Sequence, residues 1–373
     1  MASSPPLRGA MIGFGFIAEQ GHLPAYRDTQ TGPRPLEIVA VADPSSARRE
    51  RAKALLPNAT VYEDAMSLLE AEGRLRSEAR GLDFVDIATP PSEHARLAHA
   101  ALDRGLHVLC EKPLATTPAD ARSMLEHAAQ ARRVLFPSHN YKHAPVIKAV
   151  KQVLDAGLIG KVSLVTLLTF RNTHAKGVSE WRPDWRRERR YSGGGIAMDH
   201  GSHTFYLAFD WLGGHPTSIT AKVTTPEGFD TEDNLSCTMA FPGGGVASAH
   251  LSWTAGVRKV IYTIHGERGA IRVEDDDVEV AVMAQSRAKS DASSRVTWEM
   301  KKEQVASEWM DAGHAVWFRS MFEDFARAVD KRDYAGREAK DSLRCVELIA
   351  TAYASARDGS RELPLDGSPL SFG

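Results

Sequence analysis

The chain has 373 residues, 43% hydrophobic and 25% charged, with a formal net charge of -2; that length points to two domains, and near-balanced charge gives no reason to look for a nucleic-acid partner. Met1 to Arg8 lacks the basic and apolar runs of a secretory signal, and no apolar segment reaches membrane-spanning length. Cys110, Cys237 and Cys345 are widely spaced and fit neither a disulfide framework nor a zinc ribbon, so a reducing, cytoplasmic location is expected.

The first half alternates short apolar runs with helical patterns, the signature of a parallel sheet covered by helices. Gly9 to Ile12 opens it as a strand, and Gly13-Phe14-Gly15-Phe16-Ile17-Ala18 follows directly. In this G-x-G-x-x-A turn Gly13 permits the tight bend, Gly15 lets the backbone approach a pyrophosphate, and Ala18 keeps helix and strand close. The helix start beyond it offers N–H groups to phosphates. The same glycines also suit an ordinary turn, so the context matters. The next strand, Glu37 to Ala42, ends at Asp43, whose carboxylate can accept hydrogen bonds from the adenosine ribose or cap the helix after Pro44. An acid there repels a 2′-phosphate and favours NAD, while Arg48 and Arg49 close by leave NADP open.

Phe84 to Ala88 and His107 to Cys110 are the next strands. The second runs into Cys110-Glu111-Lys112-Pro113, on the edge where doubly wound sheets bind ligands. An ammonium at Lys112 could stabilise negative charge developing on a reacting oxygen; the alternative is a solvated lysine before a proline turn. In Thr117-Pro118-Ala119-Asp120 the threonine can cap a helix, proline suits its first position, and the acid favours the positive end of the dipole. That helix should run through Ala131. Val134 to Pro137 closes this half, which gives a nucleotide-binding domain over 1–138 and a second domain over 139–373.

From Lys161 strand follows strand: Val162 to Phe170, Ser218 to Thr224, Leu235 to Phe241, Val246 to Trp253, Val260 to His265 and Ala270 to Val273. The succession predicts an α+β domain with a large open sheet, mixed or mostly antiparallel. Within it, Trp181 to Arg190 is basic and aromatic. Its arginines could hold a carboxylate or phosphate, with Arg182 and Trp185 as candidates for the substrate pocket, against a solvated loop or a subunit contact. The stretch leads into Gly193-Gly194-Gly195-Ile196-Ala197-Met198-Asp199-His200-Gly201-Ser202-His203. A helix starting near Gly195 would put Asp199 and His203 on one face with Tyr206 and Asp210. Histidine suits exchange of a hydroxyl proton near neutral pH, and Asp199 could orient it or bind substrate; a solvent-facing polar stripe is the alternative. A metal held by Asp199, His200 and His203 lacks a further ligand placed by spacing, so no metal is assigned. Gln285 to Ser294 reads as an exposed loop, and about Glu338 to Arg357 as a final helix able to pack on either half.

Taken in order, Gly13 to Ala18, Ala88-Thr89-Pro90-Pro91 followed by His94, Glu111-Lys112-Pro113, Gly157 to Val162, and Asp199 to His203 resemble the Gfo/Idh/MocA oxidoreductases over nearly the whole chain. The resemblance implies an N-terminal Rossmann domain, a C-terminal open-sheet α/β domain, bound NAD(P), and a sugar, sugar-acid or cyclitol substrate. It implies Lys112, Asp199 and His203 as the catalytic group, His203 acting as acid and base with Lys112 assisting. Thr89, Pro90, His94, Glu111 and Lys112 then join Gly13 to Ile17 and Asp43 at the cofactor, and Asn140 and Tyr141 join the substrate site. A homodimer or homotetramer through the outer face of the C-terminal sheet is implied as well. The chain departs from the pattern at Tyr206, where many relatives place an acid, and at Lys142, where many place an arginine. Two further readings share the fold: a redox-neutral enzyme that cleaves or rearranges a glycoside through transient oxidation by tightly bound NAD, and a non-catalytic nucleotide- or sugar-sensing protein.

Overall fold

The computed structural model describes residues 5–29, 34–75, 81–284, 298–306 and 313–366. Two sheets organise them. The first contains β1 (Leu7–Ile12), β2 (Leu36–Ala42), β3 (Thr60–Tyr62), β4 (Phe84–Ile87), β5 (His107–Cys110) and β6 (Leu135–Pro137), in the order β3-β2-β1-β4-β5-β6, with every pairing parallel. Strand order reverses between β1 and β4, the switch point at which doubly wound sheets leave a crevice beyond the strand ends. β3 went unread because it is short and only partly buried.

A π-helical turn, Ala18–His22, runs into α1 (Leu23–Thr29); α2 (Ser46–Leu55), α3 (Ala65–Leu75), α4 (His94–Asp103) and α5 (Pro118–Ala131) complete this half. α5 starts as its residues dictate, with Thr117 Oγ1 accepting the Asp120 N–H at 3.1 Å and Pro118 in the first turn. α2 is capped by Ser45, whose Oγ accepts the Arg48 N–H at 3.4 Å. Asp43, read as a possible cap, instead accepts the Ser45 N–H at 2.8 Å.

α6 (Pro145–Asp155) leads into a sheet of nine strands ordered β14-β13-β12-β11-β7-β10-β9-β8-β15. They are β7 (Val162–Phe170), β8 (Ser218–Thr224), β9 (Asn234–Ala240), β10 (Val246–Ser252), β11 (Lys259–Gly266), β12 (Gly269–Glu274), β13 (Asp277–Met283), β14 (Trp298–Gln304) and β15 (Leu363–Pro364). Only β7 and β10 pair in parallel among the described residues, so the sheet is mixed. β14 escaped the sequence reading because it is an exposed, highly charged edge strand without a buried face, a composition that discourages edge-to-edge pairing. The loop expected at Gln285 to Ser294 lies outside the described residues.

α7 (Arg189–Ser192), α8 (Ile196–Asp199) and α9 (Gly201–Leu212) follow β7, and α9 lies on the inner face of the sheet, where Phe205, Phe209 and Trp211 pack with Val165, Leu167 and Tyr262. The chain ends in α10 (Ala315–Lys331) and α11 (Arg337–Arg357). α10 returns to the first half, where Phe318, Phe322 and Phe325 share a core with Tyr26 and Phe84. α11 packs on both halves: Ala339, Leu343 and Val346 join the nucleotide-side core, and Leu348, Ile349 and Ala352 join the core under the second sheet. All three cysteines are free and buried. Among the described residues no helix is long and apolar enough to cross a membrane.

Candidate active site

A cleft of about 800 Å³ runs from the glycine turn after β1 to the start of α9. Gly13 has φ +90°, and a Cβ there would lie 2.8 Å from the Ala88 carbonyl oxygen, so a side chain is excluded on two counts. A Cβ at Gly15 would meet nothing within 4 Å, because this position opens onto the cleft. That clear approach to backbone at a helix start is what a pyrophosphate needs. Phe16, Ile17, Asp43, Thr89 and Pro90 line the same walls, and the Thr89 hydroxyl is buried without a partner among the described residues. These residues fit a dinucleotide.

Asp43 also braces the turn. Its Oδ2 accepts the Phe14 N–H at 2.7 Å, and burial pushes its carboxyl up against the opposing pull of that bond and of the Ser45 N–H. The two arginines that left NADP open are committed elsewhere. Arg48 donates from Nε to the Phe14 carbonyl at 2.7 Å and pairs with Glu19; Arg49 donates to the carbonyls of Asp43 at 3.0 Å and Pro44 at 2.9 Å. Two residues expected at the cofactor stand back from it. The Phe14 ring is fully buried beneath the turn. His94 is also fully buried, with Nδ1 at 3.0 Å from the Pro113 carbonyl and Nε2 at 2.9 Å from that of Thr89. Burial lowers its pKa, and a neutral ring can donate to one of those carbonyls at a time, so His94 ties the Thr89 and Pro113 loops together from behind.

Glu111 faces both ways. It lines the cleft, and its Oε1 receives Nε2 of His22 at 3.0 Å, while His22 Nδ1 lies 2.8 Å from Asp86 and Tyr26 donates to Asp86 at 2.9 Å. Burial works against charge on His22, but Asp86 and Glu111 outweigh it and raise the imidazole to about 10. The ring is therefore an imidazolium held between two carboxylates. The sequence reading missed this cluster, although an acid inside the buried run Phe84-Val85-Asp86-Ile87 was a visible sign of it.

At the other end of the cleft, Lys112 Nζ donates to the Asp199 carbonyl at 3.0 Å and to its Oδ1 at 3.1 Å. Arg186 Nε approaches the same Oδ1 at 3.4 Å. Burial opposes charge on Asp199, yet the Lys112 ammonium, then Arg186, hold its carboxyl well below the usual carboxylate range. His203 Nδ1 lies 2.7 Å from the Tyr206 hydroxyl, whose oxygen also accepts the Tyr141 N–H at 3.2 Å. The Tyr141 ring stacks on His203 with centroids 3.8 Å apart. Burial, reinforced by the charge of Lys112, drives the pKa of His203 well below the ordinary histidine value, and burial takes His200 down to about 3. Both imidazoles are neutral at neutral pH.

The single helix expected from Gly195 to His203 is broken instead. α8 ends at Asp199 and α9 begins at Gly201 because α8 is seated separately on Glu232, whose Oε1 accepts the N–H groups of Gly195 at 2.9 Å and Ala197 at 3.0 Å. Asp199 and His203 still line one cleft, and α9 is buried along nearly its whole length, so the solvent-facing stripe is ruled out.

Sequence profiles of one family match residues 7–139, as an oxidoreductase family with an NAD-binding Rossmann fold, and residues 147–272, as the Gfo/Idh/MocA C-terminal domain. The chain belongs to the Gfo/Idh/MocA family. As such it is an NAD-binding oxidoreductase. A D-apiose dehydrogenase of Paraburkholderia graminis is 27% identical over 94% of this chain and 88% of its own. A D-glucoside 3-dehydrogenase of Escherichia coli is 27% identical over 96% of this chain and 98% of its own. In fold, the chain is similar to a levoglucosan dehydrogenase in complex with NADH and levoglucosan, with a TM-score of 0.80 at 21% identity over 97% of this chain and 100% of that one. An inositol dehydrogenase homologue from Azotobacter vinelandii complexed with NAD+ gives 0.78 at 20% identity, over 97% and 98%.

In this Gfo/Idh/MocA protein Asn140, Tyr141 and Trp185 line the cleft as expected, but Arg182 does not. It is exposed, sits over the Tyr191 ring at 5.1 Å and faces Glu188 at 3.5 Å. Arg186, from the same basic stretch, takes the inward place. Spacing gave no means of choosing between them, because the turn Trp185–Arg187 that aims Arg186 carries no sequence signature. Lys142 lies outside the cleft, with its Nζ 3.0 Å from Glu338, 3.2 Å from Asp341 and 3.6 Å from Asp210, where it joins α11 to the second half. The loop after β7 adds Arg171, His174 and Lys176 to the wall, none of which the sequence reading named.

Proposed function

We propose that this protein is an NAD-dependent dehydrogenase of a sugar-like polyol, with Lys112, Asp199 and His203 as its catalytic group. The observation that carries the reading is that Lys112, held at 3.0 Å and 3.1 Å by Asp199, and the neutral His203 line the same cleft as the open glycine turn. Gly13, Gly15, Phe16 and Ile17 with Asp43 and Thr89 would hold the dinucleotide, and the ribose acceptor at Asp43 favours NAD over NADP. NAD bound there supplies a two-electron acceptor. His203, unprotonated at neutral pH, takes the proton of the substrate hydroxyl, and the Tyr206 hydroxyl holds its far nitrogen. Lys112 donates to the oxygen as negative charge grows on it. Asp199 holds Lys112 in place, and Arg186 fixes Asp199.

Purified protein with NAD and a panel of aldoses, polyols, uronates and inositols is expected to form NADH, and Lys112→Met is expected to abolish it. Product formed from a glycoside with nucleotide retained and no free NADH would replace this reading by a redox-neutral one. Tight nucleotide binding with no turnover of any panel member would replace it by a sensor. The free, buried cysteines support a reducing, cytoplasmic location. The outward face of β7, with Leu164 exposed and Leu168 and Phe170 half-buried, supports a homodimer through that face, checked by light scattering on the purified protein.

A further inference from the structure

The buried arginines among the described residues are Arg48, Arg171, Arg187 and Arg344. Three of them have a carboxylate partner: Glu19 for Arg48, Asp233 for Arg187, and Glu347 at 2.8 Å for Arg344. Arg171 has none among the described residues. Among those residues its guanidinium makes one hydrogen bond, from Nη1 to the Phe170 carbonyl at 2.9 Å, although the residue is only 9% exposed. A buried cation without a counter-charge destabilises a fold, and a guanidinium left with most of its donors unused is set to receive one.

Its setting says from where. Arg171 continues β7, and its backbone is pinned on both sides, its N–H donating to Ser252 at 2.8 Å and its carbonyl accepting from Ala255 at 3.0 Å. The side chain lines the cleft together with Asp199 and His200, and its charge contributes to holding His200 neutral. Asp199, the carboxylate on that wall, already serves Lys112 and Arg186, and Lys176 is engaged by Asp184. The wall therefore carries positive charge that its own acids do not neutralise.

We propose that Arg171 is an anion anchor and that the substrate is a sugar or cyclitol bearing a carboxylate or phosphate in addition to the hydroxyl that is oxidised. The inference rests on the reading of this cleft as a site for a sugar-like substrate. The planar fork of the guanidinium matches either oxyanion with paired hydrogen bonds.

The test is calorimetric binding to the NADH-saturated protein, which cannot oxidise them, of matched sets: glucose, glucuronate and glucose 6-phosphate; galactose, galacturonate and galactose 6-phosphate. In at least one set the uronate or the phosphate is expected to bind at least tenfold tighter than the neutral sugar, which also decides between the two oxyanions. Arg171→Gln is expected to bring that preference to within about twofold, and Arg171→Lys to reduce it less. The melting temperature of Arg171→Gln should not fall below that of the wild type, since the change removes an uncompensated buried charge. Neutral sugars binding as tightly as the acidic ones in every set, no acidic probe binding at all, or a preference that survives Arg171→Gln would overturn the proposal. So would a loss in Arg171→Gln confined to NAD affinity, which would make the pyrophosphate the counter-charge. Binding is read without turnover, so failure to form NADH would count against the dehydrogenase reading and not against the anchor.

Discussion

Two clusters of buried, interacting ionisable groups flank the end of β5, and they are built to opposite purposes. Around His22 the charges are complementary and closed in: an imidazolium lies between Asp86 and Glu111, with Tyr26 donating to Asp86 and the rings of Phe318 and Phe322 packed on its outer side. Around Asp199 the groups face a cleft, and the two imidazoles of that cluster are kept neutral by burial and by neighbouring cations. Glu111 belongs to the first cluster and Lys112 to the second. Adjacent residues thus divide the work: the first cluster fixes the backbone from which Lys112 projects, and the second presents Lys112 and a neutral imidazole to the cleft.

The largest test of that division is to remove one group from each. His203→Ala is expected to lower kcat by about 10²–10⁴-fold with a smaller loss of stability than His22→Ala. His22→Ala leaves Asp86 and Glu111 buried without their cation, and should cost about 3–5 kcal/mol of stability in denaturant titration. If His22→Ala melted normally and lost only rate, the separation of roles would be wrong.

A smaller effect lies in pH. The folded pKa of His22 is raised, so the stability it contributes is full below its unfolded value of about 6.5. That contribution declines as pH rises and is lost through about 10. The difference in unfolding free energy between wild type and His22→Ala should accordingly shrink across that interval. His203 has the opposite sign: its folded pKa is lowered, so the acid limb of kcat/KM for alcohol oxidation should fall below pH of about 6.5. Tyr206→Glu places an anion beside Nδ1 and should move that limb upward by about one unit, whereas Tyr206→Phe should lower kcat by about fivefold, the value of one hydrogen bond. An unmoved limb in Tyr206→Glu would mean that Tyr206 does not govern the state of His203.

The smallest expected effect is at Arg182. Since its side chain pairs with Glu188 on the surface, Arg182→Ala should leave kcat/KM within about twofold, as surface pairs contribute little. A tenfold loss would show that the basic loop reaches into the cleft in the working enzyme.

The nucleotide side was legible because its requirements are local. The Gly13-x-Gly15 turn, the acid closing β2 and the Thr117 cap are each set by a few consecutive residues, and each stands where its spacing put it. The second sheet was legible where strands alternate buried and exposed residues and illegible at β14, which has no buried face. Lys112, Asp199 and His203 were found as residue types at strand and helix ends, but their mutual distances depend on how two sheets meet. Arg171 and Arg186 eluded spacing for the same reason: what separates them from Arg182 is that the chain turns their side chains into the cleft, and that direction is not encoded in a window of sequence. His94 shows the converse, a motif residue whose place in the pattern is real while its ring faces carbonyls behind the cleft.

The return of α10 and α11 to the first sheet has a consequence for biosynthesis. When a ribosome has released the strands β1 to β6, the surfaces that will receive Phe318, Phe322 and Phe325 on one side, and Leu343 and Val346 on the other, are still bare. The lobe translated first is therefore the last to be sealed, and a nascent chain stalled before α10 would present sticky apolar faces to chaperones instead of a finished nucleotide binder.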